Sequence, residues 1–388
     1  MNNFCSIKQR VVSFFSSALA FTVLSACTAM PPANDQDEKN AVAGCEATTT
    51  QNYTGYIQPG WNQSTPKSMV VGSDPQYPAT LDSNGHLYEN RALSNQRLSQ
   101  VFSDIANYRV KSNTFVPFFI NGDLTHFGHG HERETTQKLF RGLSGGPGGP
   151  LFFPGLGNHD YDQNVGECAN NGCARDSVCD VLQWEMQIPG LRSIDYHYAK
   201  PEHRGSLSYS FDIGRMHFIQ LHNGPLYSVY FETGNHITSP KRKFNIRDSL
   251  SWLESDLRDA RARGQYIFIN LHKRNTWPSG DVARFKAMVN NYLVSAVFAG
   301  HVHGELGLVP YEWEIERYGL VPVFQSGALL NKSYLIVEFE PDVTADLGAA
   351  KVYKVAPGKS NAQKEIVSGV LLRGERKNFP PVTLRTRW

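Results

Sequence analysis

Five stretches of this chain end an apolar run on residues able to hold a metal ion. Met69-Val70-Val71-Gly72 leads into Ser73-Asp74-Pro75-Gln76, and Pro117-Phe118-Phe119-Ile120 into Asn121-Gly122-Asp123. Leu151-Phe152-Phe153-Pro154-Gly155-Leu156 leads into Gly157-Asn158-His159-Asp160. Tyr266-Ile267-Phe268-Ile269-Asn270-Leu271 stops at His272, and Ala296-Val297-Phe298-Ala299-Gly300 at His301-Val302-His303. Carboxylates, imidazoles and amide oxygens are the donors that divalent ions take from proteins. A short apolar run bounded by turn residues reads as a buried strand. Five strands that each release such a donor at the C-terminal end point to one metal-dependent active site.

The elements that must position these donors follow in order. Leu98, Val101, Phe102 and Ile105 fall at helical spacing within a helix predicted from Arg91 to Tyr108. A second helix is predicted from Glu132 to Leu143, stopped by the Gly-rich stretch 142–150, which lacks the GK[ST] ending of a phosphate-binding loop. Tyr161 to Arg204 shows little periodicity, holds three Cys and reads as an insertion beside the site. Leu207 to Asn223 reads as a hairpin around Asp212-Ile213-Gly214. Ile246, Leu250, Leu253 and Leu257 mark a helix capped by Gly264, and Val282 to Leu293 another. Strands are predicted at Val321–Gly327, Tyr334–Glu340 and Val352–Val355. Strand–helix alternation followed by strands gives an α/β fold with two central sheets covered by helices. No repeat or linker divides it, so residues 51–388 are one catalytic domain.

Composition narrows the function classes. At 388 residues and 40% hydrophobic the chain builds a large core, and a formal charge of +2 gives no field for nucleic acid. Lys8 and Arg10 precede a short apolar run, Val11 to Leu24, as in an export signal. Leu24-Ser25-Ala26-Cys27 is similar to the lipobox of bacterial lipoproteins. The resemblance implies a signal peptide over 1–26, a lipid on Cys27 and, with Thr28 next, an outer-membrane anchor as the chain's only membrane contact. Residues 27–50 then form a polar tether. Cys45, Cys168, Cys173 and Cys179 remain, an even set that predicts two disulfides in any of three pairings. A structural zinc site is the rival, though the paired C-x2-C pattern is missing.

Taken together, Asp74-Pro75-Gln76, Gly122-Asp123, Gly157-Asn158-His159-Asp160, His272 and Gly300-His301-Val302-His303 resemble, in order, the motifs of the calcineurin-like metallophosphoesterase family. The resemblance covers roughly residues 68 to 340 and implies a four-layer α/β/β/α sandwich. It implies two metal ions, divalent or trivalent (Mn, Fe, Zn or Mg), with Asp123 bridging them. Asp74, Gln76, Asp123 and His303 would hold the first ion, and Asp123, Asn158, His272 and His301 the second. His159 would be the catalytic residue, a general acid for the leaving oxygen or a transition-state stabiliser. His301 and His303 would share a face on a regular strand, so a turn after Gly300 is needed to separate them. The reaction implied is hydrolysis of a phosphomonoester or phosphodiester by a metal-activated water. For an exported chain the substrate classes are phosphorylated small molecules, lipid headgroups and glycans.

Two departures from the family pattern bear on substrate. Most members carry His where this chain has Gln76, and a neutral oxygen there leans the first ion toward Mg or Mn. His126 and Phe127 replace the Asp and Arg of the protein Ser/Thr phosphatases, and His126 also replaces the Tyr of purple acid phosphatases. Both branches are disfavoured. His126, Arg274 and His222 are further candidates for substrate contact, alongside Lys273 and the rest of the His126–His131 cluster, His129 and His131. The competing reading is a catalytically degenerate scaffold acting as a surface binding protein.

Overall fold

The computed structural model describes residues 60–112, 114–141, 152–188, 190–234, 241–277, 281–340 and 347–376. The signal segment, Cys27, the tether, Cys45 and the Gly-rich stretch 142–150 lie outside the described residues.

Two sheets carry the architecture. Strands β1 (Ser68–Gly72), β2 (Ala79–Leu81), β3 (Leu87–Glu89), β4 (Phe118–Ile120) and β5 (Phe153–Pro154) come from the first part of the chain. Strands β6 (Leu191–Ile194), β7 (His197–Ala199), β8 (Glu202–Gly205), β9 (Tyr209–Ile213), β10 (Met216–Gln220), β11 (Val229–Thr233) and β12 (Arg242–Ile246) follow. The rest are β13 (Tyr266–Leu271), β14 (Ala296–Ala299), β15 (Leu306–Leu308), β16 (Val323–Ser326), β17 (Tyr334–Glu340), β18 (Leu347–Val355) and β19 (Glu365–Arg373). One sheet runs β19-β18-β17-β1-β4-β5 and the other β15-β16-β14-β13-β10-β9-β6. Their centres are parallel, β1 with β4 and β4 with β5, and β10, β13, β14 and β16 in turn.

Alternation along each strand builds the layers. In β4, Phe119 points inward and meets Phe218 of the facing sheet at 5.0 Å between ring centroids. Its neighbour Phe118 points outward to Phe102 of helix α1 (Arg91–Ser112), 6.4 Å away. In β13, Phe268 faces Phe339 of the first sheet at 5.5 Å. Ile267, Ile269 and Leu271 pack outward among Leu250, Leu253 and Leu257 of a later helix. The result is the predicted α/β sandwich, with helices α1 and α2 (Gly130–Arg141) on one side. Helices α4 (Leu250–Ala262), α5 (Val282–Asn291) and α6 (Tyr311–Tyr318) lie on the other. No described helix is long and apolar enough to cross a membrane.

Several stretches differ from the expectation. Residues 161–204 contain helix α3 (Gly172–Glu185) and three strands, two of them in a small sheet ordered β11-β12-β8-β7. The helix hid because its buried face mixes Val178, Val181 and Leu182 with Ser177, Asp180 and Glu185, which blurs the apolar period. Ile246 belongs to β12, and the helix begins at Leu250; Gly264 takes the left-handed conformation (φ +75°) just beyond its end. The sequence pattern also gives no signal for helix α6, edge strand β19 or the short strands β2, β3, β11, β12 and β15. Of the four Cys, Cys168 pairs with Cys173 (Cα–Cα 5.6 Å), and Cys179 is also disulfide-bonded.

One polar cluster crosses the layers. His217 of β10 sits opposite Asp212 of β9 and is fully buried, with Nδ1 2.7 Å from Asp212 and Nε2 2.8 Å from Asp256 of α4. Arg263 also meets Asp212, and the Ser210 hydroxyl donates to Asp256. Burial alone would lower the His217 pKa, but Asp256 and Asp212 raise it to about 9. A raised folded-state value makes the contribution whole below the unfolded His pKa of about 6.5 and lost as pH climbs through the folded value. We expect His217→Ala to cost about 3–5 kcal/mol near pH 6, because two carboxylates lose their shared cation. Urea denaturation should show the gap to wild type narrowing toward pH 10; a constant gap would remove the imidazolium from the account.

Candidate active site

Three of the five donor loops leave their strands through a backbone conformation that L-residues avoid. Asp74, Gln76, Asp123 and His301 have φ of 51°, 42°, 52° and 74°. Each such residue costs on the order of 1–3 kcal/mol and persists only where its surroundings over-determine it. Here they do. The Asp74 N–H donates to the Gly122 carbonyl, Gln76 N–H to the Asp123 carbonyl, and Gly300 N–H to the His272 carbonyl, all at 3.0 Å. Carboxylates close the weave: Asp74 Oδ2 accepts the His301 N–H at 2.9 Å, and Asp123 Oδ1 the His159 N–H at 2.8 Å. Asn158–Asp162 forms a single π-helical turn, a form concentrated at functional sites.

The side chains meet in two groups that share one residue. Ligand atoms of Asp123, His272 and His301 lie within 4.8 Å of one another, and so do those of Asp74, Asp123 and His303. The left-handed turn at His301 sends it to the first group and His303 to the second. His272 is oriented by the Asn121 carbonyl, 2.8 Å from Nδ1, which leaves Nε2 facing Asp123 Oδ2 at 3.2 Å and Asn158 Oδ1 at 3.0 Å. A backbone carbonyl behind a histidine in this way is the usual support of a metal ligand. Gln76 lies against Asp123 with Nε2 3.3 Å from Oδ2, and its Oε1 is buried with no hydrogen-bond partner among the described residues.

Charge in the cluster is strongly perturbed. Burial would raise the Asp123 pKa, yet His272 and then His159 hold it well below the usual carboxylate range. Burial would lower His272, but the Asp123 carboxylate raises it to about 9. Burial, with the charge of His272 added, drops His301 to about 4. His303 is raised against burial by Asp74, whose Oδ1 is 3.3 Å from its Nε2. The buried acids thus call for positive charge, and the donors are oxygens and imidazoles. With the orphaned Gln76 oxygen beside them, this set fits divalent metal ions.

His159 stands beside the shared carboxylate. Its Nδ1 is 2.8 Å from the His126 carbonyl, and its ring stacks on that of His126 at 5.0 Å. His126 is half-buried, its pKa lowered to about 4 by burial and then by the charge of His159. Asp160 ties the turn down: it accepts N–H bonds from Gly157 (2.8 Å), Leu124 (3.1 Å) and Thr125 (3.2 Å). Burial, then the nearby Asp123 charge, pushes Asp160 up to about 7. Asn121 and Asp160 were not singled out from sequence. Both lie inside the motifs, but their positioning work depends on contacts 151 and 36 residues away.

The other candidates divide. Arg274 is buried and committed elsewhere, with Nη2 3.0 Å from Glu305 and Nε 3.1 Å from Glu314. His222 is buried with both ring nitrogens engaged: Nδ1 accepts the Leu156 N–H at 3.0 Å, and Nε2 lies 2.8 Å from the Leu207 carbonyl. His222 has no ring nitrogen left for a substrate, whereas Arg274 keeps Nη1 buried without a hydrogen-bond partner among the described residues. Lys273 differs. It approaches Asp162 at only 3.8 Å, its charge is felt by His301, and it is partly exposed. His129 ends the loop on Glu132, and His131 lies in the first turn of α2 beside Arg91.

A family model described as calcineurin-like phosphoesterase matches residues 73–305. No curated protein matches the sequence. Among solved structures, the chain is similar to a purple acid phosphatase from yellow lupin (Lupinus luteus) seeds, at 11% identity and a TM-score of 0.43, covering 82% of this chain and 55% of that one. It is similar to the anchor in the inner membrane complex of Plasmodium at 9% identity and a TM-score of 0.40, covering 80% and 90%. For a 5'-nucleotidase from Candida albicans the values are 10% and 0.37, covering 71% and 48%.

Gly157 is the tightest point of the weave. A Cβ there would lie 2.2 Å from Asp123 Oδ1 and 2.4 Å from Asp123 N, so backbone must move. A displacement of about 1 Å in such a site costs on the order of 100-fold in rate. Gly157→Ala should therefore lose about 100-fold in kcat on an aryl phosphate ester. Gly304→Ala, beside His303 but with nothing within 4 Å of its Cβ, should stay within about twofold. Equal rates for the two variants would show that the close approach does not matter.

Proposed function

This chain belongs to the calcineurin-like phosphoesterase family, metal-dependent hydrolases of phosphate esters, and from that premise we propose that it works with two divalent ions bridged by Asp123. The observation that carries the proposal is that the two donor groups have Asp123 in common. Asp74, Gln76, Asp123 and His303 would hold one ion, and Asp123, Asn158, His272 and His301 the other. Bound there, the ions would neutralise the ester's negative charge and make a water acidic enough to attack phosphorus.

The remaining steps belong to the chain's own side chains. His159 keeps its Nδ1 proton on the His126 carbonyl, so Nε2 is the atom that can deliver a proton to the leaving oxygen. His126 stacks on that ring and fixes its plane. Lys273, the cation near His301 that is not locked into a close ion pair, is suited to a phosphate oxygen. The substrate is a mono- or diester of a small molecule, lipid headgroup or glycan. Export and anchoring through Cys27 are part of the same proposal, supported by the residues Leu24-Ser25-Ala26-Cys27. Palmitate labelling that survives Cys27→Ala would refute the anchor.

The test pairs metal content with hydrolysis of para-nitrophenyl phosphate and bis-para-nitrophenyl phosphate. Two ions per chain and turnover are expected, with preference between the two esters deciding mono- from diesterase. Asp123→Asn should lose both ions' tight binding and more than about 100-fold of activity, the upper end of what even outer-sphere substitutions cost a metal site. A full-strength Asp123→Asn enzyme would end the bridging assignment. Gln76→Ala should weaken one ion by about 10-fold or more, read as metal released first on titration with a chelator, while the other stays bound. Loss of both together, or of neither, would take Gln76 out of the ligand set.

A further inference from the structure

We infer that His129, Cys168 and Cys173 form a separate, redox-gated metal site, closed while the disulfide stands and able to take a zinc-class ion once it is reduced. Ligand atoms of these three residues lie within 4.8 Å of one another. The cysteines are spaced C-x4-C, within the range that zinc sites use. His129 is already set up as a ligand. Its Nδ1 is 3.0 Å from Glu132 Oε1, which leaves Nε2 as the ring nitrogen for a metal. Glu132 is buried and fixed by the Phe127 N–H on its other oxygen, at 2.8 Å. A carboxylate behind an imidazole both orients it and raises its basicity toward a metal.

The donors also select the ion. Two thiolates and an imidazole favour zinc and other soft or borderline ions over Mg or Mn, unlike the oxygen-rich set around Asp123. Cys173 lies in the first turn of α3, so a rigid element positions its sulfur. In the reduction, two electrons from a dithiol break the Cys168–Cys173 bond, and the dithiol is itself oxidised to a disulfide. Each sulfur gains a proton, and ion binding releases both. Disulfide and metal are thus alternative fillings of one place. The same loop supplies the His126 carbonyl that orients His159.

Cobalt(II) supplies a test, because its thiolate charge-transfer absorption arises only from sulfur ligands. The full chain, loaded with its active-site ions, would be titrated with cobalt before and after reduction by a phosphine. The absorption should be absent from the oxidised protein and rise to one ion per chain after reduction. It should vanish in Cys168→Ser/Cys173→Ser, and His129→Ala should bind at least about 10-fold more weakly. Where the Ser variant does not fold, the reduced His129→Ala chain carries the comparison, because it leaves the thiols freed from the Cys179 disulfide unchanged. No thiolate absorption after reduction would overturn the site, as would one that survives in Cys168→Ser/Cys173→Ser. An unchanged affinity in His129→Ala would overturn the assignment of its third ligand.

Discussion

The buried charge on Asp123 is the constraint on which the rest of the site depends. A carboxylate out of water is costly unless opposite charge and hydrogen bonds surround it. Here the His159 N–H, His272 and the two donor groups all converge on it. The same convergence explains the four left-handed residues. No regular strand end could turn Asp74, Gln76, Asp123 and His301 toward a common point, so the loops adopt strained turns and bond to one another. Their strain is stored locally and held by the sheets behind them.

The sandwich supplies that hold through aromatic packing more than through polar links. Phe119, Phe211, Phe218 and Phe268 form a continuous aromatic cluster between the sheets, with centroids 5.0 to 6.0 Å apart. A strand whose inward residues are locked this way cannot slide by one position without exchanging its faces. The donor at its end is therefore fixed to within a fraction of a residue. Gly122 and Gly157 complete the arrangement, because a Cβ on Gly122 would come 2.8 Å from the Gly157 Cα.

What could be read from sequence follows from range. The strands that carry donors announce themselves in four to six consecutive residues, and the layered α/β fold follows from their alternation with helices. Helix α3 escaped because Ser177, Asp180 and Glu185 occupy its buried face, where a pattern reader looks for apolar residues. Edge strand β19 escaped for the opposite reason: Ile366 and Leu371 are exposed while Val370 and Leu372 are buried, so its apolar residues follow no single face. Partners distant in sequence were beyond reach altogether. Arg274 looked available beside His272, and only the fold brings Glu305 and Glu314 against it.

The His126–His159 pair holds the proposed proton donor through ring and main-chain contact. At the offset where related phosphatases carry an acid, this chain has an imidazole whose side chain stacks and whose main-chain carbonyl accepts. A carbonyl has lone pairs but no charge. It decides which nitrogen of His159 carries the fixed proton, and the stack decides where the ring plane lies. The other nitrogen is left facing the site. Orientation, in this arrangement, is supplied by backbone and ring contact, while the negative charge near His159 comes from Asp123 itself. Positioning of the proposed proton donor and bridging of the proposed ions then rest on the same carboxylate, so a change at Asp123 should disturb both at once, and a change at His126 only the first.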